Sequence, residues 1–204
     1  MAITTYAELQ TAIGNWMERT DLSSRLPEFI AMFEAALNRE LRVRQQITST
    51  TLSPSSGSAT LPTDYLMWKR VTWAGSTKRE LEYVDPSYFQ SAYPDSPSDT
   101  PRFFTIEGST LRIVPLDTTS LTFVYAQKVP SLATTDPNWF LTAHPDAYLF
   151  GSLAAAKTMT VGEDSRGAAI AEFAVVVNGI AAELNRLTFV QDGPAMIRPY
   201  GSTP

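Results

Sequence analysis

The first clear period in the chain runs through TTYAELQTAIGNWMER. Tyr6, Leu9, Ile13 and Trp16 recur at three- and four-residue steps, the spacing that lines one face of a helix. Thr5 stands as its cap, with Glu8 three residues on as the reciprocal partner. Gly14 weakens this helix by about 1 kcal/mol against alanine, so it needs packing to persist. After TDLSS, Leu26, Phe29, Ile30, Phe33, Leu37 and Leu41 form a second apolar face. Pro27 falls in the first turn, where a missing N–H does least harm. Arg39, Arg42 and Arg44 gather at the C-terminal end, which suits the helix dipole.

Near Gln45 the period shortens to two. QITSTTLSPSSGSATLP reads as strand, loop, strand, and KRVTWAGSTKRELEYV as a hairpin about Gly75. DPSYFQSAY is a short helix capped by Asp85 with Pro86 at its first position, and PDSPSDTP is an exposed loop. PRFFTIEGSTLRIVPLDTTSLTFVYAQKV predicts three antiparallel strands turning at EGST and PLDTTS. There Phe103, Thr105, Leu111, Ile113, Leu121, Phe123 and Tyr125 alternate as in a sheet with one covered face. Helical spacing returns in PDAYLFGSLAAAKTMT, opened by Pro145 and Asp146. Its Ala147, Gly151, Ala154 and Ala155 are small enough to admit a close neighbour. In the last helix Ile170, Phe173, Val177, Ile180, Leu184 and Leu187 form a heptad-like stripe that asks for a helical partner.

These elements predict an α+β chain. Residues 1–45 and 130–187 supply two N-terminal and two C-terminal helices of a four-helix bundle. Residues 46–129 form an inserted antiparallel β-rich domain, and 188–204 an extended C-terminal arm. The expected bundle-packing residues are Phe29, Phe33, Leu37, Ile170, Phe173, Val177, Ile180 and Leu184. The 17 residues of the arm reach at most about 55 Å when extended. Met196, Ile197 and Tyr200, with Arg198 among them, are its expected contacts to a neighbour, and Gly193 and the prolines keep it out of helix.

Composition then narrows this picture. With 204 residues the chain can bury a sizeable core. Charged residues make up only 18%, which leaves surface free for protein contacts. The net charge of −5 argues against a basic nucleic-acid-binding stripe, and the absence of cysteine excludes disulfides and thiolate zinc sites. No unbroken apolar run of about eighteen residues appears, and MAITTYAELQ lacks a signal-peptide core. The expectation is a soluble protein made in the cytoplasm.

Candidate chemistry is sparse. His144, the only histidine, precedes a proline at a helix start and reads as a cap or surface residue. HExxH, GxxxxGK[ST] and GxSxG are absent. Glu163 and Asp164 suit a helix N-terminus better than a cation. Asp95 and Asp99 lack calcium-loop spacing, and Glu80 and Glu82 flank Leu81 on the solvent side of a strand. Arg42, Arg44, Lys69 and Arg70 would make a basic patch, but the acidic balance opposes DNA binding. Tyr65, Trp68 and Trp73 invite a sugar platform, although aromatics in strands more often serve a core. No catalytic group, cofactor or metal is expected.

The segment from Thr4 to Gln45 resembles the opening of head-to-tail adaptor proteins of short-tailed bacteriophages. The matching positions are Trp16, Arg19, Asp21, Pro27, Glu28, Phe29, Ile30, Glu34, Asn38, Arg39, Leu41, Arg42 and Arg44; LPTDYL, from Leu61 to Leu66, also fits, as does the order of elements. Where the family pattern has alanine before the acid, this chain has Phe33. The resemblance implies a non-enzymatic virion protein of the head–tail interface, assembled in the host cytoplasm. Such proteins form a ring, usually of twelve copies, beneath the portal ring. They extend the DNA channel and dock the tail or nozzle protein. Genomic DNA passes without specific binding, and no membrane is involved. Another neck or tail-tube protein is the alternative, and a carbohydrate-binding module a more distant one.

Overall fold

The computed structural model describes residues 3–19, 21–93 and 98–192, with side chains through Arg186. The chain is α+β and divides into two units. Met1–Arg44 and Val129–Pro204 make a helical unit, and Gln45–Lys128 a β unit.

In the helical unit, α1 (Tyr6–Met17) begins with the capping box: Glu8 N donates to Thr5 Oγ1, and Thr5 N donates to Glu8 Oε2. It stops at Glu18, whose φ of 52° is left-handed. In α2 (Leu26–Glu40) the five apolar residues of the predicted face are buried, as is Leu41 just beyond it. The Arg42 guanidinium closes the C-terminal end by donating to the carbonyls of Asn38 (3.2 Å) and Arg39 (2.8 Å). A short helix, α4 (Trp139–Ala143), was not expected; Asn138 caps it by accepting from Leu141 N at 2.8 Å. Pro145 opens α5 (Pro145–Thr160), and α6 runs Glu163–Asp192. α5 packs against α1, α2, α4 and α6, and α2 packs against α6. The small residues of α5 are needed there. A Cβ on Gly151 would come within 2.2 Å of the buried Phe33 ring.

Three expectations for this unit need correction. Trp16 does not join the inward face of α1 but is 64% exposed. Ile170 does not enter the helical core: it is 53% exposed, and its neighbour Ala169 takes the buried position. The arm does not begin at 188, because α6 continues to Asp192. The remainder of the arm, with Met196, Ile197, Arg198 and Tyr200, lies outside the described residues.

In the β unit, β1 (Ile47–Leu52), β8 (Leu121–Gln127), β3 (Tyr65–Trp73) and β4 (Arg79–Glu80) form one sheet in that order. β2 (Ser58–Thr60), β7 (Thr110–Val114), β6 (Phe103–Glu107) and β5 (Glu82–Tyr83) form the other. The last three strands therefore do not make one sheet. β6 and β7 pair as a hairpin about Gly108 (φ 59°), while β8 pairs with β1 and β3. The expected β3–β4 hairpin forms, but two residues later the chain leaves it. Buried Leu81 marks the crossing, and β5 runs parallel to β6. Both sheets share one core of Leu52, Val71, Trp73, Phe104, Leu111 and Phe123 with their neighbours. In β6 Thr105 is buried as expected, but so is Phe104, while Phe103 is half-buried and stacks on Tyr93. Between β5 and β6 lies α3 (Pro86–Ala92), capped by Asp85, whose carboxylate accepts from Ser87 N at 2.9 Å.

Candidate functional site

His144 lies between α4 and α5, its ring 5.3 Å from that of Phe140. Glu163 and Asp164 occupy the first turn of α6, and Asp99 accepts from Thr100 N. Asp95 lies outside the described residues. Among the described residues no group of three or more His, Cys, Asp or Glu could hold a metal ion. The three strand aromatics do not form one exposed platform. Trp73 is buried and donates to Asp117 Oδ2 at 2.6 Å. Tyr65 packs on Phe123 and Tyr125, and Trp68 stacks on Tyr83. The basic residues divide: Arg42 and Arg44 belong to the helical unit, Lys69 and Arg70 to the β unit.

The motif residues of α2 have clear physical work. Glu34 is buried, and its Oε1 accepts from Leu132 N (2.9 Å) and from the Tyr148 hydroxyl (3.1 Å). That hydroxyl accepts from Asn138 Nδ2 at 2.7 Å, and the same nitrogen donates to Pro130 O. Burial and then the Glu34 carboxyl beside it push the Tyr148 phenol far above its ordinary value. Asn38 accepts from Val129 N at 2.7 Å. Asn185 on α6 accepts from Arg42 N (2.8 Å) and donates to Glu40 O (3.2 Å), closing the end of α2 from the side. Near α1, Arg19 grips Asp21 with two nitrogens, at 3.0 and 2.6 Å. Most of the motif thus builds the unit. Trp16 has no such duty.

The exposed face of the helical unit is apolar where it need not be. Trp16 meets Phe150, itself 50% exposed, edge to face at 6.0 Å. A groove of about 550 Å³ runs between α2, the end of α5 and α6. Met32, Met159, Ile170 and Phe173 line it, and Arg39 and Arg166 stand on it. Val175 on α6 is 71% exposed. An eighteen-residue window of Glu163–Arg186 has a mean hydropathy of 1.5, with 17% of it buried. By length and composition α6 therefore passes for a membrane-spanning helix, a correction to the reading above. No unbroken apolar run marks this helix, because Glu172 and Asn178 interrupt the pattern. Lys157 of α5 pairs with Glu172, and α2 and α5 hold one side of this helix.

Of the residues expected to pack the bundle, Phe29, Phe33, Leu37 and Val177 are buried in the helical core, and Phe173, Ile180 and Leu184 are partly buried against it. Sequence reasoning missed Tyr148 and Asn138. The Asn138 signal was available, since an asparagine just before an apolar run is a helix cap. Tyr148 gave none, because only the fold brings it to Glu34.

A family model described as SU10 adaptor protein matches residues 4–198, which span both units. No curated protein matches the chain.

Proposed function

The chain belongs to the SU10 adaptor protein family, a family of phage head–tail adaptors, and from that premise we propose that it is a structural virion protein that docks as a ring beneath the portal. In this reading about twelve copies extend the DNA channel and offer the tail or nozzle protein its platform. DNA passes through unbound, in keeping with the net charge of −5. α1, α2, α5 and α6 act as a four-helix bundle, with Phe29, Phe33, Leu37, Phe173, Val177, Ile180 and Leu184 in its packing. Residues 193–204 act as an extended arm, and Met196, Ile197, Arg198 and Tyr200 contact the portal or a neighbouring copy. The protein does no catalysis and resides at the head–tail interface of the virion.

The observation that carries this reading is the family match over residues 4–198. The apolar surface of the helical unit supports it, since soluble monomers seldom leave such surface open without a partner. The test is the native mass of the portal ring from the same source, with and without this protein in excess. One saturated mass step of about twelve subunits is expected, and no binding to an assembled portal overturns the reading. Deleting residues 193–204 is expected to abolish docking while far-UV circular dichroism stays unchanged.

A further inference from the structure

We infer that neighbouring copies join through the helical unit, with the Trp16–Phe150 pair of one copy seated in the α2–α5–α6 groove of the next. The inference rests on the ring reading above and deepens it by naming the contact.

A closed ring needs two different, complementary faces on each subunit. The helical unit carries two such faces. The first is a knob of two exposed aromatic rings in mutual contact. Aromatics are the side chains that most often anchor interfaces, because each buries roughly 150–250 Å². The second is the groove. Its volume of about 550 Å³ lies within the roughly 300–1,000 Å³ typical of sites that seat a compact apolar group. Ile170 is 53% exposed and Met159 42% exposed beside it. Their burial requires something from outside this unit.

The two faces lie on different flanks. On α6, Glu172 faces α5 through its pair with Lys157. Ala174, two residues on, lines the groove, and two residues turn a helix by about 200°. Phe150 precedes Lys157 by seven residues, two turns along the same stripe of α5. The knob therefore shares the Lys157 side, and the groove opens on the other. That placement favours a neighbour over self-association face to face.

Charge favours the same pairing. Exposed Glu18 follows Trp16, and exposed Asp146 stands one turn before Phe150. Arg19, nearby, is already paired with Asp21. The groove carries Arg39 and Arg166 against Glu40. An acidic knob thus meets a groove with one positive charge in excess.

The chain has no cysteine, so placed thiols report contacts without background. In the full chain, Asn15→Cys marks the knob and Asn178→Cys the groove; both positions are exposed. The double variant, assembled on portal rings and treated with a short bis-maleimide, is expected to give a ladder of covalent oligomers. Neither single variant is expected to pass dimer. Trp16→Ser, an exposed change, is expected to lower the assembled fraction at least tenfold with unchanged circular dichroism. If the ring mass is normal but no ladder forms and Trp16→Ser assembles like the parent, the contact lies elsewhere and only this inference falls. If Asn178→Cys links instead to Met196→Cys, the groove belongs to the C-terminal segment and the inference is overturned. Absence of any mass step on portal rings removes the ring reading and this contact with it.

Discussion

The β unit is one continuous stretch, Gln45–Lys128, whereas the helical unit joins two stretches that the β unit separates. The difference shows in where each places its buried polar bonds. In the helical unit Asn38 reaches Val129, and Glu34 reaches Leu132 and Tyr148, across separations of 91, 98 and 114 residues. Closing loops of that length costs entropy before any contact forms. Buried, mutually satisfied hydrogen bonds give the returning chain one register on α2 that apolar packing alone would leave loose. The β unit has polar bonds of its own, with Trp73 to Asp117 at a separation of 44, Tyr125 to Asp64 at 61 and buried Gln46 to Gln127 O at 81. Its sheets already fix the register through the backbone.

The sharpest way to break the helical unit alone is through Phe33 and Gly151. Phe33→Ala is expected to cost about 3–5 kcal/mol, the usual range for emptying a core phenylalanine. Gly151→Ala is expected to cost about 1–3 kcal/mol through overpacking against that ring. In the Phe33→Ala background, Gly151→Ala should cost little or nothing, because the ring it strikes is gone. Urea unfolding of the four chains checks all three values. Equal costs of Gly151→Ala in both backgrounds would show that the close approach does not constrain the pair.

Next in size come the polar bonds. Glu34→Ala leaves the Leu132 N–H and the Tyr148 hydroxyl without their acceptor in a buried site, and is expected to cost about 1–3 kcal/mol. Trp73→Phe removes the bond to Asp117 in the β unit and is expected to cost about 1 kcal/mol. Urea midpoints of the two variants compare the units directly. The contrast between them fails if Trp73→Phe costs more than Glu34→Ala. A smaller loss, about 1 kcal/mol, is expected for Thr5→Ala, which opens the capping box of α1.

The same contrast governs what the sequence made legible. Helix faces such as Leu26, Phe29, Ile30, Phe33 and Leu37 follow from a period that local geometry enforces, and so does the Thr5 cap. The pairing of β8 with β1 and β3 was not legible. Alternation tells which residues face a core, but not which of two sheets a strand joins. Phe103 against Phe104 shows the same limit within one strand, since an adjacent pair of aromatics leaves the inward position undecided. Trp16 and Ile170 were misplaced for the opposite reason. Both sit on a helical apolar stripe, and only the tertiary packing leaves them outside. That error points at the surface rather than the core, and the sequence had no means of marking it.

The last effect is a slope of stability against pH on the alkaline side, and it compares the units by titration. Each unit holds a tyrosine that donates to a carboxylate: Tyr148 to Glu34, and Tyr125 to Asp64 at 3.0 Å. Burial first, then the hydrogen bond to Asp64, push the Tyr125 phenol up to about 12. An unfolded tyrosine loses its proton near 10. Between about 10 and about 12 the unfolded chain therefore holds fewer protons than the folded one, and stability falls as pH rises. The contribution is fully present below about pH 10 and is lost as pH climbs through about 12. Tyr125→Phe should flatten the fall of the urea midpoint over that window. Tyr148→Phe should flatten it as well, and should also lower the midpoint at pH 7, because that hydroxyl both donates to Glu34 and accepts from Asn138. A Tyr125→Phe chain whose alkaline slope matches the parent would remove the Asp64 pair as the source of the effect. A Tyr148→Phe chain with an unchanged midpoint at pH 7 would show that the buried network, for all its reach across the sequence, adds no stability to the unit it joins.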